Sequence, residues 1–384
     1  MRRTPKENIN QSFINLIRKA HGLIENSDIE KHRHSQDQMG ALFGNSREVA
    51  VTETTVGSMY AEWIRVDRPH SGKKIILYCH GGGYSTGSPL YARTLTTKLA
   101  SQLSMDVFCF DYRLAPEHPY PAAVDDAQAA WDYLMLQGYG AKDIFVAGDS
   151  AGGNLALALG LRLKKQKRML PAGFVLMSPW TDLTVSGKTH VTKADVDPVL
   201  NQNYLNEMIE NYVPQAKKVQ MEAVKPLQEA GTLQEGNILQ AADTLREANA
   251  LQEGNIIRAA GTLQEGNTLQ TANTLQTAGT EKQKPGDKSA NKVFEEIFDT
   301  EYLRNPEISP LFGDFTGFPP TYIQVGDLEV LMSDSTMLQK KMSGEGVAVS
   351  LDTYKNMWHV FQMGPFKTAV EAIHKCGEFI YSVQ

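Results

Sequence analysis

The chain has 384 residues and a net charge of −6, and 41% of its residues are hydrophobic and 21% are charged. This mildly acidic balance gives no support for nucleic-acid binding. The sequence contains no run of 18 apolar residues, so we expect no membrane span. The three cysteines, Cys79, Cys109 and Cys376, have neither paired nor metal-ligand spacing, which suits a reducing compartment and predicts a cytoplasmic protein.

The first elements are predicted to be helical and then extended. Apolar residues recur at helical spacing over residues 9–26. The polar stretch 27–45 contains Lys-His-Arg-His at residues 31–34, which we interpret as a solvated helix face rather than a ligand site. Alternating segments at 49–55 and 59–66 flank a Gly-Ser pair and predict a β-hairpin.

From Lys74 onwards, apolar strands alternate with helices, and the alternation resumes near residue 322. The predicted strands cover residues 75–79, 105–112, 144–147, 172–177, 322–325 and 348–354. The predicted helices cover residues 91–104, 122–137, 151–164, 333–343 and 366–381. Strands that are apolar throughout predict a parallel sheet with helices on both faces.

A low-complexity stretch interrupts this alternation. Residues 227–280 form nine consecutive hexads, such as LQEAGT, LQEGNI and LQTANT. A six-residue period makes no apolar stripe along a helix, whereas a parallel β-helix accommodates it. One apolar residue in six offers little surface to offset the entropy of ordering, so we favour a weakly ordered hexapeptide-repeat insertion over residues 216–300.

A strand, a sharp turn and the start of a helix are predicted around the motif G-D-S-A-G at residues 148–152. The G-x-S-x-G spacing places a serine at the apex of a strained turn, where its neighbours must be small. The turn presents the hydroxyl beside a helix N-terminus, which favours an oxyanion. An ordinary glycine-rich turn is the alternative, but the rest of the chain favours Ser150 as a nucleophile.

A second glycine-rich run, H-G-G-G-Y at residues 80–84, follows the predicted strand 75–79. Glycines after a strand allow several backbone N–H groups to point at one spot, although a flexible loop has the same composition. Together with G-D-S-A-G, the run predicts an oxyanion hole formed by the N–H groups of Gly82, Gly83 and Ala151.

A serine nucleophile needs a histidine base, which follows the serine in doubly wound hydrolases. His190, His359 and His374 are the histidines beyond Ser150. His359 is preferred because it lies in a loop after a predicted strand, where catalytic groups gather in open α/β sheets. His374 lies in the middle of a predicted helix, and His190 lies in a polar stretch.

The acid that orients the base is expected in the loop after the predicted strand 322–325. Asp327, Glu329 and Asp334 all follow that strand closely enough to qualify. Spacing along the sequence does not choose between the three carboxylates.

Together these motifs resemble the hormone-sensitive-lipase family of α/β-hydrolases, a branch of bacterial carboxylesterases with HGGG and GDSAGG motifs. The resemblance covers residues 48–210 and 305–384. The matching segments are H-G-G-G-Y at 80–84, D-Y-R-L-A-P-E-H-P-Y-P-A at 111–122, G-D-S-A-G-G-N at 148–154, S-P-W-T-D at 178–182, V-G-D-L-E-V-L at 325–331 and W-H-V-F at 358–361. By this resemblance, Arg113 and Glu117 are expected to pair as a structural brace.

The resemblance implies an α/β-hydrolase fold, an eight-stranded and mostly parallel sheet with helices on both faces and a helical cap. It implies N-terminal cap helices at residues 1–45 and a hydrolase domain at 46–384. The second cap segment, 185–215, and the insertion, 216–300, interrupt that domain.

The resemblance also implies roles for single residues. Ser150 is expected to be the nucleophile and His359 the base. The acid of the family falls on Glu329, with Asp327 as the alternative, and Asp334 is then a residue at the start of a helix near the site.

We therefore expect a serine carboxylesterase that hydrolyses short-chain acyl esters of small molecules without a metal or cofactor. A lactonase, a deacetylase or an amidase would use the same residues. A non-catalytic protein that binds small molecules would lack one of these residues. In a further alternative, the hexads are the functional part of the chain and serve as an interaction or assembly region. A homodimer is compatible with the sequence, which gives no direct indication of the oligomeric state.

Overall fold

The computed structural model describes residues 28–66, 73–218 and 289–383, with side chains from residue 293 in the last range, together with Ile14, Arg18 and Arg68. These residues belong to one of the two units into which the chain divides, the unit formed by 1–218 and 288–384. The hexads at 227–280 lie outside the described residues. The predicted helix over 9–26 does so too, except for Ile14 and Arg18, which are helical.

Eight strands form one sheet within the described residues. They are β1 Val49–Val56, β2 Met59–Val66, β3 Ile75–Cys79, β4 Asp106–Phe110, β5 Ile144–Asp149, β6 Gly173–Met177, β7 Thr321–Gly326 and β8 Val349–Tyr354. Their order is β1-β2-β4-β3-β5-β6-β7-β8. β2 pairs antiparallel with β1 and β4, and every other pair is parallel. The predicted eight-stranded, mostly parallel sheet is confirmed.

Helices cover both faces of this sheet. They are α1 Ile29–Phe43, α2 Pro89–Leu103, α3 Ala122–Leu136, α4 Ala151–Lys165, α5 Thr189–Thr192, α6 Gln202–Tyr212, α7 Ser289–Ile297, α8 Thr300–Leu303, α9 Met332–Gly344 and α10 Lys367–Ser382. On one face, Ile76 of β3 shares a core with Leu95 of α2 and Ile373 of α10. On the other, Leu77 shares a core with Leu159 of α4. None of the described helices has the length and hydropathy needed to cross a membrane.

Burial differs between the centre and the edges of the sheet. β3, β5 and β6 are buried along their whole length because helices cover both of their faces. The prediction of strands that are apolar throughout is wrong for the edge strand β8, where Ser350 and Thr353 are exposed. All three cysteines are buried and unpaired.

The two ends of the chain segment between α6 and α8 lie next to each other. An isolated antiparallel bridge joins Lys217 to Phe298. Beside it, Asp299 N donates a hydrogen bond to Ala216 O at 2.7 Å. The segment that contains the hexads therefore departs from, and returns to, neighbouring positions of the described structure.

The predicted solvated face at residues 31–34 is wrong for two of its four residues. His32 is only 7% exposed, and burial lowers its pKa to about 4. Arg33 donates from Nε to Ser85 O and from Nη2 to Ala115 O, both at 2.9 Å. These partners are distant from Arg33 in the sequence, so the local pattern of residues could not predict them.

The predicted pair of Arg113 and Glu117 is also wrong. Arg113 binds Asp126 instead, at 2.9 Å from Nε and 2.8 Å from Nη2. Glu117 accepts two hydrogen bonds from Arg33, at 3.0 and 2.8 Å. Both arginines make the bidentate contact that suits a guanidinium and a carboxylate. The Arg33–Glu117 pair fastens α1 to the proline-rich loop after β4.

Replacing Arg33 by methionine keeps an aliphatic stem but removes every donor. We expect the free energy of unfolding to fall by about 1–3 kcal/mol, because the carbonyls of Ser85 and Ala115 lose their partner. Glu117→Gln should cost only about 0–1 kcal/mol, since 48% of that side chain is exposed. Urea denaturation of the two variants measures the difference, and equal losses would contradict this account.

Candidate active site

Ser150 forms the sharp turn between β5 and α4, with φ 54° and ψ −123°. A left-handed φ is strained for a residue with a side chain. The turn packs tightly against β3. A Cβ on Gly152 would lie 2.0 Å from Cys79 O, and one on Gly148 would lie 2.3 Å from Gly152 O. The strained turn predicted from the G-x-S-x-G spacing is therefore present, and both of its glycines are required.

Five loops carry the predicted site residues or their neighbours to one edge of the sheet. β3, β5, β6, β7 and β8 are parallel neighbours, so their carboxyl ends lie along the same edge. The loops after them begin with His80, Ser150 and Ser178, and contain Glu329 and His359. The hydrogen bonds of the described residues do not include one between Ser150 and His359.

Asp149 holds the glycine-rich loop after β3. Its Oδ1 accepts hydrogen bonds from the Tyr78 hydroxyl at 2.6 Å and from Gly81 N at 3.0 Å. Burial raises the pKa of Asp149, while these hydrogen bonds oppose the rise. Beyond Gly81 the loop turns through Gly82 and Gly83, whose φ values of 119° and 62° suit glycine.

The backbone N–H groups of Gly82, Gly83 and Ala151 have no acceptor among the described residues. Ala151 is the first residue of α4, where an N–H group has no partner within the helix. Met208 of α6 lies over the loop, since a Cβ on Gly83 would lie 2.7 Å from its Sδ. These are the three donors that the glycine motifs predict.

His80 is packed into the core and is not available as a base. Its ring stacks on Tyr112 with 4.1 Å between ring centroids, and its Nδ1 lies 2.9 Å from Gly81 O. Burial lowers the pKa of His80 to about 4, so the ring is neutral at physiological pH.

His359 and Glu329 form a buried pair. His359 Nδ1 lies 3.1 Å from Glu329 Oε2. The other carboxylate oxygen, Oε1, accepts from Ser178 Oγ at 2.8 Å and from Gly326 N at 2.5 Å. Burial lowers the pKa of His359, but the hydrogen bond and charge of Glu329, together with the charges of Asp197 and Asp149, outweigh it, so the net pKa is raised.

The other two carboxylates considered from the sequence have different partners. Asp327 Oδ1 accepts a hydrogen bond from Asn356 N at 2.6 Å and lies at the surface end of the same loop. Asp334 lies in the first turn of α9. Of the three acids, Glu329 is the one that contacts His359.

Asp334 binds one of the two histidines that the sequence disfavours. Its Oδ2 accepts from the N–H groups of Thr181 and Asp182, both at 2.9 Å, and its Oδ1 lies 3.0 Å from His190 Nε2. His374 is exposed on α10. The described residues contain no group of three or more histidine, cysteine or acidic side chains that could hold a metal ion.

Asp197 was not found from the sequence, where an Asp-Pro pair in a polar stretch carries no functional signal. It is buried, and its Oδ2 accepts from Val330 N, next to Glu329, at 2.8 Å. Its Oδ1 accepts from Val199 N at 2.9 Å. Burial raises the pKa of Asp197 to about 6, and its charge contributes to the raised pKa of His359.

Comparison with known proteins identifies the fold. The model of a family described as having the alpha/beta hydrolase fold matches residues 76–243 and 236–363, which together span most of the chain. The chain belongs to this family.

Individual relatives of this hydrolase are hydrolases too, namely an esterase, an acetyl-hydrolase and a lipase. An esterase of Acinetobacter venetianus is 30% identical over 349 residues, which cover 90% of this chain and 87% of that protein. An acetyl-hydrolase of Streptomyces hygroscopicus is 30% identical over 88% of this chain and 83% of its own. The crystal structure of a hormone-sensitive lipase from a metagenome library is 30% identical, covers 97% of each chain and has a TM-score of 0.69. The resemblance to bacterial hormone-sensitive-lipase esterases is confirmed.

Ser178→Ala tests how much the Ser178 hydroxyl, which binds Glu329 of the buried His359–Glu329 pair, contributes to the stability of this hydrolase. The Ser178 hydroxyl donates to Glu329 and accepts from Val360 N at 3.2 Å. Its loss leaves a buried N–H without an acceptor, so we expect the free energy of unfolding to fall by about 1–3 kcal/mol. Ser382→Ala removes an exposed hydroxyl that donates to Phe379 O and should stay within about 0.5 kcal/mol. A loss of the same size at both serines, measured in urea, would refute the prediction.

Proposed function

We propose that this carboxylic ester hydrolase cleaves short-chain acyl esters with Ser150 as nucleophile, His359 as general base and Glu329 as the acid that orients the base. The observation that carries the proposal is the buried contact of 3.1 Å between His359 Nδ1 and Glu329 Oε2. It lies at the edge of the sheet where β5 ends in the strained Ser150 turn. A serine, a histidine and a carboxylate at one edge form the constellation of serine hydrolases.

The contact with Glu329 fixes the tautomer of His359. Nδ1 carries the proton that faces the carboxylate, so Nε2 is left as the acceptor. In the proposed reaction Nε2 takes the proton of Ser150 as Oγ attacks the ester carbonyl carbon. The hydrogen bond between the two residues then forms in the substrate complex, as catalytic hydrogen bonds often do.

The second half of the reaction reverses these transfers. His359 donates its new proton to the leaving alcohol as the tetrahedral intermediate collapses to an acyl-enzyme. A water molecule then gives a proton to His359 and attacks the acyl carbon, which releases the carboxylic acid and restores Ser150. Every proton taken up by the imidazole is returned, so no cofactor is needed to balance the cycle.

The free N–H groups of Gly82, Gly83 and Ala151 are proposed to stabilise the oxyanion. Negative charge develops on the carbonyl oxygen as Ser150 attacks, and donors held in place for it contribute more than donors in water. The N-terminus of α4 adds a favourable dipole at the same place. Asp149 acts through the loop, because it fixes Gly81 next to the two glycine donors.

A small acyl group fits the surroundings best. Ser150 is 9% exposed and His359 is 7% exposed, so the reacting atoms lie below the surface. Met208 of α6 covers the loop at Gly83 and restricts the space above it. The relative from Streptomyces hygroscopicus, an acetyl-hydrolase, supports an acyl group of this size.

Lactones, acetylated sugars or amines and amides would be attacked by the same three residues, so these substrates are the competing outcomes of any substrate series. The cap segments at 1–45 and 185–215, the cytoplasmic location and a homodimer remain proposals from the sequence.

Hydrolysis of nitrophenyl esters from acetate to decanoate tests the reaction. We expect the highest kcat/KM with the shortest chains and a loss of at least about 10³-fold in Ser150→Ala. Ser104→Ala is the matched control, because Ser104 also has a left-handed φ, of 50°, but lies just before β4 at the opposite edge of the sheet. A folded protein that cleaves none of these esters, or a Ser150→Ala variant with normal activity, would rule the proposal out.

The pH dependence of kcat/KM tests the role of Glu329. The base must be neutral, so activity rises with pH through the raised pKa of His359. In Glu329→Gln that pKa falls, and we expect the acid limb to move to lower pH and the rate to drop by up to roughly 10⁴-fold. Asp327→Asn should leave both the limb and the rate in place, because Asp327 binds Asn356. The reverse pattern would make Asp327 the acid.

A further inference from the structure

Lys98 of α2 reaches into the loop that follows His359. Its Nζ donates to the carbonyl oxygens of Gln362, Met363 and Gly364, at 3.0, 2.6 and 2.9 Å. A lysine ammonium has three N–H donors and no acceptor. The three carbonyls therefore satisfy the whole donor set of this side chain.

The carbonyls in question need a donor from outside their own loop. They lie at the end of the short 3₁₀ turn Phe361–Met363, and the last carbonyls of a helical turn lack backbone partners. Burial lowers the pKa of Lys98 to about 8, so the ammonium form predominates at neutral pH. A positive charge at this end of the turn is favourable.

Consecutive turns connect these carbonyls to the imidazole. Phe361 N donates to Trp358 O at 3.2 Å, which spans His359. Met363 N donates to Val360 O at 3.1 Å. Val360 has a left-handed φ of 52°, which a β-branched residue keeps only where its surroundings hold it. A shift of the carbonyls would therefore move the backbone of His359.

We propose that Lys98 is a positioning residue for His359. Its three hydrogen bonds hold residues 360–364 in the strained conformation that aims the imidazole at Ser150. Ser178 also holds this backbone, since its hydroxyl accepts from Val360 N. This inference rests on the proposed role of His359 as the base.

Lys74 provides a matched comparison within the same chain. Its Nζ donates to Ile380 O at 3.1 Å and to Val383 O at 2.7 Å, at the C-terminal end of α10. Lys74 thus also binds carbonyls at the end of a helix. It precedes β3, at the opposite edge of the sheet from Ser150. A purely structural effect of losing such a lysine should therefore be seen at Lys74 as well.

The test compares Lys98→Met, Lys98→Arg and Lys74→Met in the full chain with nitrophenyl acetate. In Lys98→Met we expect kcat to fall about tenfold or more while KM stays within about twofold, because the base is misplaced and the binding surface is not. Inactivation of Ser150 by a sulfonyl fluoride should slow in parallel. Lys98→Arg should recover part of kcat, since it keeps a cationic donor. Lys74→Met should lower Tm and keep kcat.

Wild-type kcat in folded Lys98→Met would overturn the inference, and so would an equal loss of kcat in Lys74→Met. If Lys98→Met does not fold, Lys98→Gln replaces it, because its amide has two donors instead of three. A wild-type kcat in that variant would also refute the role. Failure of the proposed function is distinguishable, because the folded wild-type protein would then cleave none of the esters, or Ser150→Ala would retain activity, whatever the Lys98 variants do.

Discussion

The close approach of the Ser150 turn to the end of β3 is the constraint on which the site depends. A Cβ on Gly152 would lie 2.0 Å from Cys79 O and 2.5 Å from His80 O, so the two backbones touch with no room for a side chain. This contact sets the first N–H of α4 beside the glycine loop that follows β3. It also brings Asp149 within reach of Gly81 N. One backbone contact therefore arranges the candidate nucleophile and its candidate oxyanion donors together.

Buried carboxylates that lack cationic partners determine the electrostatics around His359. Asp149, Asp197 and Glu329 are all buried. Among the described residues none of these carboxylates forms an ion pair with lysine or arginine, and backbone N–H and hydroxyl groups solvate them instead. Burial alone would lower the pKa of His359, and the three carboxylates reverse that effect. Little solvent screens these charges. Replacing any one of the three carboxylates by a neutral residue should therefore lower the pKa of His359.

Local sequence signals identified the elements of the sheet and the turn at Ser150, because strand periodicity and glycine spacing reflect constraints within a few residues. They also placed His359 after the last strand, since parallel topology gathers such loops. The ion pairs of Arg33 with Glu117 and of Arg113 with Asp126 could not be predicted, because arginine reaches any of several nearby acids and the choice depends on how α1 docks. Asp197 and Lys98 could not be singled out either. Each binds backbone groups of a loop more than 100 residues away, and backbone partners leave no trace in side-chain patterns.

The bridge between Lys217 and Phe298 bears on how this gene can change over time. The two ends of the segment that contains the hexads are held next to each other, so the distance that the segment must span is independent of the number of hexads. The entropic cost of closing a chain segment grows only with the logarithm of its length, by about 0.6 kcal/mol for each doubling. Tandem repeats gain and lose whole units when DNA is copied. A change in the number of hexads would therefore alter the entropic cost of closing this segment only slightly.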